Sequence, residues 1–338
     1  MRKPHALGRV IAVSMIALAA IALVQALLNA NLVRSVYARP ATVMPARLGS
    51  MPAGAPEKTG ATFWEAFPPG ANDPVVAPGR RVVNVPIFMY HYIQEPPDQR
   101  ADPIGYGLSV RPEEFRRQMD YLDEHGYHPV TLADLRAYLQ GQASLPDKPV
   151  VLTFDDGYID FYTTAFPILR EHRFRAVAYI VSGFTGTSDR YMTPAQVREI
   201  DAAGIEIGAH TYSHVDLTQA GVDLNQQLIQ SKTQLEAIVG HPVVDFCYPS
   251  GRFNAAVVAA VQAAGYQSAT TTVEGTAHSF DDRYQWTRVR MSPDVSITVF
   301  AADLANHENG VAPARVAPIR IPRAFPLVLA SIQSSEIQ

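Results

Sequence analysis

At 338 residues the chain holds one large domain or two small ones, and its 47% hydrophobic content supplies a full-sized core. Its 28 Lys and Arg against 32 Asp and Glu leave a net charge of −4, without the basic excess that nucleic-acid binding requires. With Cys247 as the single cysteine an intrachain disulfide is excluded, so the fold must hold through its core alone.

The N-terminus carries Arg2, Lys3 and Arg9 ahead of an uncharged run from Val10 to Leu28. A positive segment followed by an apolar one is an export signal, and this run is just long enough to cross a bilayer as a helix. Small-residue sites ending at Ala30 and Ala38 would admit cleavage. We read 1–38 as a signal anchor or signal peptide, with an uncleaved anchor preferred. The flanking cations then stay inside and the remainder of the chain lies outside the cytoplasm, at the membrane or secreted after cleavage. Residues 39–80 are rich in Pro, Ala and Gly and read as a linker, interrupted by Phe63, Trp64 and Phe67, which could dock on the domain.

From residue 81 the pattern alternates between strand and helix. Residues 82–90 read as strand, and 112–124 as a helix with Pro112 in its first turn and Phe115, Met119 and Leu122 on one face. A second helix over 131–139 leads to a strand at 150–154. Helices follow at 162–172, at 193–203 with Thr193 as N-cap, at 224–239, and at 255–264 behind Asn254. Strands fall at 176–181, 205–209, 246–248, 268–272 and 287–291. Beyond residue 304 the periodicity fades, 307–310 reads as a turn, and 305–338 is a tail of unassigned role. Strands separated by crossover helices imply a parallel sheet, and closure into a barrel would gather ligands at the C-terminal strand ends. The pattern by itself does not separate a barrel from an open doubly wound sheet.

Two segments carry chemistry. Thr153-Phe154-Asp155-Asp156-Gly157 places adjacent carboxylates at the end of an apolar strand, and His210-Thr211-Tyr212-Ser213-His214 supplies two imidazoles four residues apart. One carboxylate and two imidazoles suit a catalytic divalent cation with an open position, leaving the second carboxylate to take a proton from water. The other histidines, His125, His128, His172, His241, His278 and His307, have no partner at ligand spacing and read as surface or loop residues. Asp281-Asp282 reads as a solvated turn, and Cys247 as a packed, unreactive side chain.

These segments resemble the polysaccharide deacetylases, the NodB-homology group of carbohydrate esterase family four, over residues 82–304. The TFDDG and H-[ST]-x-x-H motifs stand intact, and Phe246-Cys247-Tyr248-Pro249-Ser250-Gly251-Arg252 resembles the third. The early Tyr90-His91 resembles a permuted branch that includes poly-β-1,6-N-acetylglucosamine deacetylases. The resemblance implies an irregular (β/α) barrel of about seven parallel strands. It also implies Zn2+ on Asp156, His210 and His214, Asp155 as base, His91 as acid, and the Ser250 backbone N–H as oxyanion donor. The arginine by which other members hold the base is missing before Cys247, so Arg288 or Arg290 is expected to replace it, with Arg288 chosen. Ser250 also stands where an aromatic is common, which leaves Tyr158, Tyr212 and Tyr248 to line a sugar groove. The implied activity is removal of N-acetyl groups from an N-acetylglucosamine polysaccharide near the membrane. Two alternatives stand beside it: a catalytically silent glycan-binding protein, and an O-acetyl esterase or amidase. The sequence leaves oligomeric state open.

Overall fold

The computed structural model describes residues 81–308. The predicted signal segment, the linker with Phe63, Trp64 and Phe67, and the tail after 308 lie outside the described residues. Among the described residues no helix is long and apolar enough to cross a membrane.

The barrel strands in chain order are β1 (Ile87–Tyr90), β2 (Pro149–Phe154), β3 (Val177–Ile180), β4 (Glu206–Ala209), β5 (Asp245–Cys247), β6 (Ser268–Glu274) and β7 (Trp286–Arg290). Each runs parallel to the next. The last closes onto the first, with Val289 opposite Phe88. The eighth strand of the sheet, His128–Val130, pairs only with the first half of β2, on the same edge that β3 takes further along. The sheet is therefore a closed (β/α) barrel rather than an open wound sheet.

Side chains alternate across a strand, so each strand sends one parity inward and the other to the surrounding helices. Val150, Leu152 and Phe154 of β2 join Phe88, Tyr90, Ala178, Ile180, Ile207, Phe246 and Val289 in the outer core. Val151 belongs instead with Ile87, Val177, Tyr179, Cys247 and Trp286, which fill the barrel interior. Continuing the inner parity upward reaches His91, Asp155, His210, Arg288 and Arg290, so the packing that closes the barrel also aims these side chains at its C-terminal mouth. Gly208 shares that parity because a Cβ there would sit 2.5 Å from the Tyr179 ring, leaving no room for a side chain.

The helices start where capping chemistry requires. Thr193 and Gln196 form a reciprocal capping box, as do Thr131 and Asp134, and Asn254 accepts from the Val257 N–H. Helix Pro112–Glu124 has the predicted bounds and buries Phe115, Met119 and Leu122. Several expectations need correction. The strand predicted over 82–90 is two, because Val82–Asn84 leaves the barrel to pair antiparallel with an unforeseen strand, Ala277–Ser279. The helices predicted from 162 and 224 begin as wider π-turns, Phe161–Ala165 and Asn225–Gln230. In the first, Pro167 has no N–H to continue an α-helical ladder. The final helix, Ile297–Glu308, runs through both the expected boundary at 304 and the expected turn at 307. His278 is buried rather than superficial, its Nε2 3.0 Å from the Val85 carbonyl.

Candidate active site

Asp155 ends β2 on the inner parity and is 3% exposed, so its charge needs a partner within the barrel. Arg288, 0% exposed on β7, supplies it through two parallel bonds, Nη1 to Oδ1 at 2.7 Å and Nη2 to Oδ2 at 2.8 Å. Its Nε donates to the Thr271 carbonyl, so the fork is fixed in orientation as well as in charge. Burial alone would push the Asp155 carboxyl up, but the Arg288 charge and hydrogen bonds outweigh it and hold the group well below the usual carboxylate range. Of the two arginines offered by the sequence, Arg288 makes this contact.

Asp156 would point outward if the strand continued. Its φ of 77° breaks the strand and turns the carboxylate to the mouth instead. Thr211, His214 and Ser250 also have positive φ, at 66°, 54° and 53°, so four of the six non-glycine residues of this kind among those described lie in the three motifs. Backbone held in such sparsely populated conformations concentrates at functional sites.

The fit of a cation rests on the donor set. Atoms of Asp156, His210 and His214 converge within 4.8 Å of one another. Both Nε2 atoms lie 3.3 Å from Asp156 Oδ1, a buried oxygen with no hydrogen-bond partner among the described residues. His210 Nδ1 lies 2.8 Å from the Cys247 carbonyl, which fixes that nitrogen as the N–H and orients Nε2 toward the carboxylate. Two imidazoles and one carboxylate suit a catalytic divalent ion, and these residues fit it. Asp155, His210 and Cys247 form a second convergent group. There, however, Arg288 Nη2 sits 3.1 Å from Cys247 Sγ, and its positive charge opposes a cation.

His91 follows β1 and brings Nε2 to 3.6 Å from Asp155 Oδ2. Burial pulls its imidazole down to about 4, despite the opposing pull of Asp155 and Asp156. Ser250 is exposed on the short turn Pro249–Gly251 that follows β5, at the same end of the barrel.

The three tyrosines part company. Tyr158 is half-buried at the mouth, stacked on Tyr92 with ring centres 4.0 Å apart and on Tyr191 at 5.4 Å. Tyr212 is also half-buried, and its carbonyl accepts from the Gly183 N–H. Tyr248 is not a groove residue: it is 0% exposed, packed against Phe246 and Phe253, and donates its hydroxyl to the Tyr284 carbonyl. Its outer parity on the β5 line explains this. The sequence reading missed Tyr92 and Tyr191, whose proximity to Tyr158 arises only when the loops after β1, β2 and β3 come together. Cys247 is packed in the barrel interior as the sequence suggested, and its thiol also touches Arg288 and lies 3.6 Å from Asp155 Oδ2.

The family profile described as polysaccharide deacetylase matches residues 142–269. A putative polysaccharide deacetylase of Bacillus subtilis, YxkH, is 31% identical over 221 residues, spanning 64% of this chain and 75% of that protein. The chain belongs to the polysaccharide deacetylase family. Among solved structures, the Streptococcus pyogenes deacetylase PplD in complex with acetate is similar to this polysaccharide deacetylase at 30% identity. Its TM-score is 0.59, and the match covers 64% of this chain and 96% of that one. The poly-β-1,6-N-acetyl-D-glucosamine N-deacetylase of Escherichia coli K12 is 37% identical over 144 residues, but the match spans only 20% of that longer protein.

Proposed function

We propose that this polysaccharide deacetylase hydrolyses N-acetyl groups on an N-acetylglucosamine polysaccharide, using a divalent cation, Zn2+ by ligand type, held by Asp156, His210 and His214. What carries the reading is the division of labour between neighbouring carboxylates: Asp155 is locked to Arg288, while Asp156 faces two imidazole nitrogens at 3.3 Å. When bound, the ion polarises an acyl carbonyl and acidifies water at the mouth.

The remaining chemistry belongs to the chain. Asp155 stays ionised at neutral pH, and beyond its bonds to Arg288 it keeps lone pairs with which to accept a proton from the attacking water. His91 begins neutral, because burial holds it near about 4. The proton it delivers to the leaving nitrogen is then the one Asp155 has removed, passed across their 3.6 Å separation. The Ser250 backbone N–H is the donor for the developing oxyanion. Tyr158 and Tyr212 line the groove, joined by Tyr92 and Tyr191. A β-1,6-linked polymer is the first candidate substrate, supported by the Escherichia coli relative's name. The apolar run from Val10 to Leu28 supports export, with the domain working outside the cytoplasm and tethered to the membrane.

Acetate release from β-1,6 and β-1,4 N-acetylglucosamine oligomers, measured with Zn2+ and with chelator, tests this. Chelator-sensitive release from the wild type, and its loss together with bound ion in Asp156→Ala, is expected. Release that survives chelation would sink the cation assignment. His91→Ala is expected to retain the ion and lose about 10²–10⁴-fold in kcat, the usual contribution of a positioned proton donor. A loss under tenfold would remove His91 from the proton path.

A further inference from the structure

Arg290 is left over once Arg288 has taken Asp155. It lies two residues further along β7, opposite Met89 of β1, on the same inner parity and one step nearer the mouth. Its guanidinium is half-buried, yet among the described residues it has no hydrogen bond and no ion pair. Burial first, and then the like charge of Arg288, pull it below the usual arginine value. The two carboxylates near enough to act on it are both otherwise engaged. Asp155 has both oxygens on Arg288, and Glu274, which burial pushes up, takes the backbone N–H of Arg290.

A half-buried cation with no carboxylate bonded to it carries a desolvation cost, and an anion from outside the chain would offset that cost. The guanidinium fork matches a carboxylate's two oxygens. Arg290 lies on the strand face that carries Arg288 to Asp155, and it is within electrostatic range of both His91 and Asp155, the two groups proposed to handle the proton. If the proposed deacetylation is correct, an anion forms at that place in every turnover. The acyl C–N bond breaks, a C–O bond to water forms, and the water's proton goes through Asp155 and His91 to the nitrogen. The acid and amine then separate as carboxylate and ammonium. A cation here holds the first and repels the second.

We propose that Arg290 forms a carboxylate-binding site at the barrel mouth, distinct from the ion position, that takes up the acid released by the reaction. The inference rests on the proposed hydrolysis for its ligand, but its test does not need turnover. Sodium acetate is titrated by calorimetry into the full-length chain after chelation, so that the ion's own affinity for acetate does not contribute. Sodium glucuronate is run in parallel. Saturable acetate binding is expected in the wild type, about tenfold weaker in Arg290→Met and within about threefold in Arg290→Lys, as for loss and retention of a charge-assisted bond. Arg290→Gln replaces the Met variant if that one fails to fold. Tighter binding of glucuronate than of acetate would assign the site to an acidic sugar of the glycan. The reverse order would assign it to the released acyl group, and either result upholds a carboxylate site. Equal acetate affinity in wild type and variant, or no saturable binding in the wild type, overturns it. A chain that binds acetate through Arg290 yet releases none from glycans would overturn the hydrolysis and leave the site standing.

Discussion

Asp155→Asn is expected to keep wild-type ion content and lose about 10²–10⁴-fold in kcat, the range lost when a positioned base is removed. The substitution preserves shape and leaves one oxygen to accept from Arg288, so the variant should fold. It cannot accept the proton of the attacking water. Ion content by atomic absorption separates this outcome from the Asp156→Ala case, in which ion and activity disappear together. Near-normal turnover in Asp155→Asn would remove Asp155 from the base role. The carboxylate that neutralises Arg288 would also be gone, so some loss of Tm accompanies the loss of rate.

Arg288→Met is expected to be the more damaging substitution for the fold. It strands the Asp155 carboxylate inside the barrel, and breaking a buried pair from one side costs about 3–5 kcal/mol. The sign of the pH dependence follows from the direction of the Asp155 shift. In the wild type that carboxyl is held below its unfolded value despite burial. Its contribution to stability is therefore fully present above the unfolded value, near about 4, and disappears as pH falls through the lower folded value. Without Arg288 the largest opposition to burial is gone and only the weaker pull of His91 and His210 remains, so the folded value is expected to rise above the unfolded one. Stability then declines as pH rises through the new value, while activity moves to higher pH because the base must ionise. Unfolding in urea at a series of pH values, beside the kcat profile, reads both effects. A stability loss under 1 kcal/mol would mean that Arg288 is not the counter-ion on which Asp155 depends.

Features set by neighbouring residues were legible in the sequence. The paired aspartates after an apolar strand, the two histidines, and the caps at Thr193 and Asn254 all depend on contacts within a few positions. The arginine was legible only as a pair of candidates. Arg288 and Arg290 share a strand face, and only closure of the barrel decides which of them reaches Asp155. The Tyr92–Tyr158–Tyr191 stack left no signal, because its rings come from three segments far apart in the sequence. Tyr248 was misplaced because a motif position says little about strand parity. It follows Cys247, and one step along a strand exchanges the interior for the outer core. The last helix was missed because Ile297–Glu308 mixes Asp and Asn into its apolar pattern, and because Asn309-Gly310 just beyond it made 307–310 read as a turn.

The pairing of β7 with β1 has a consequence for how the domain can be assembled and divided. A fragment limited to residues 142–269 would contain Asp156, His210 and His214, but neither His91 nor Arg288. It would also expose two open strand edges, each a template for intermolecular pairing. The seam joins positions about two hundred residues apart, Phe88 with Val289, so it cannot form until the chain has been made through the last strand. During synthesis the motifs proposed to hold the ion therefore emerge well before Arg288 does. Competence waits for the last strand, which closes the ring and brings the Arg288 guanidinium to Asp155.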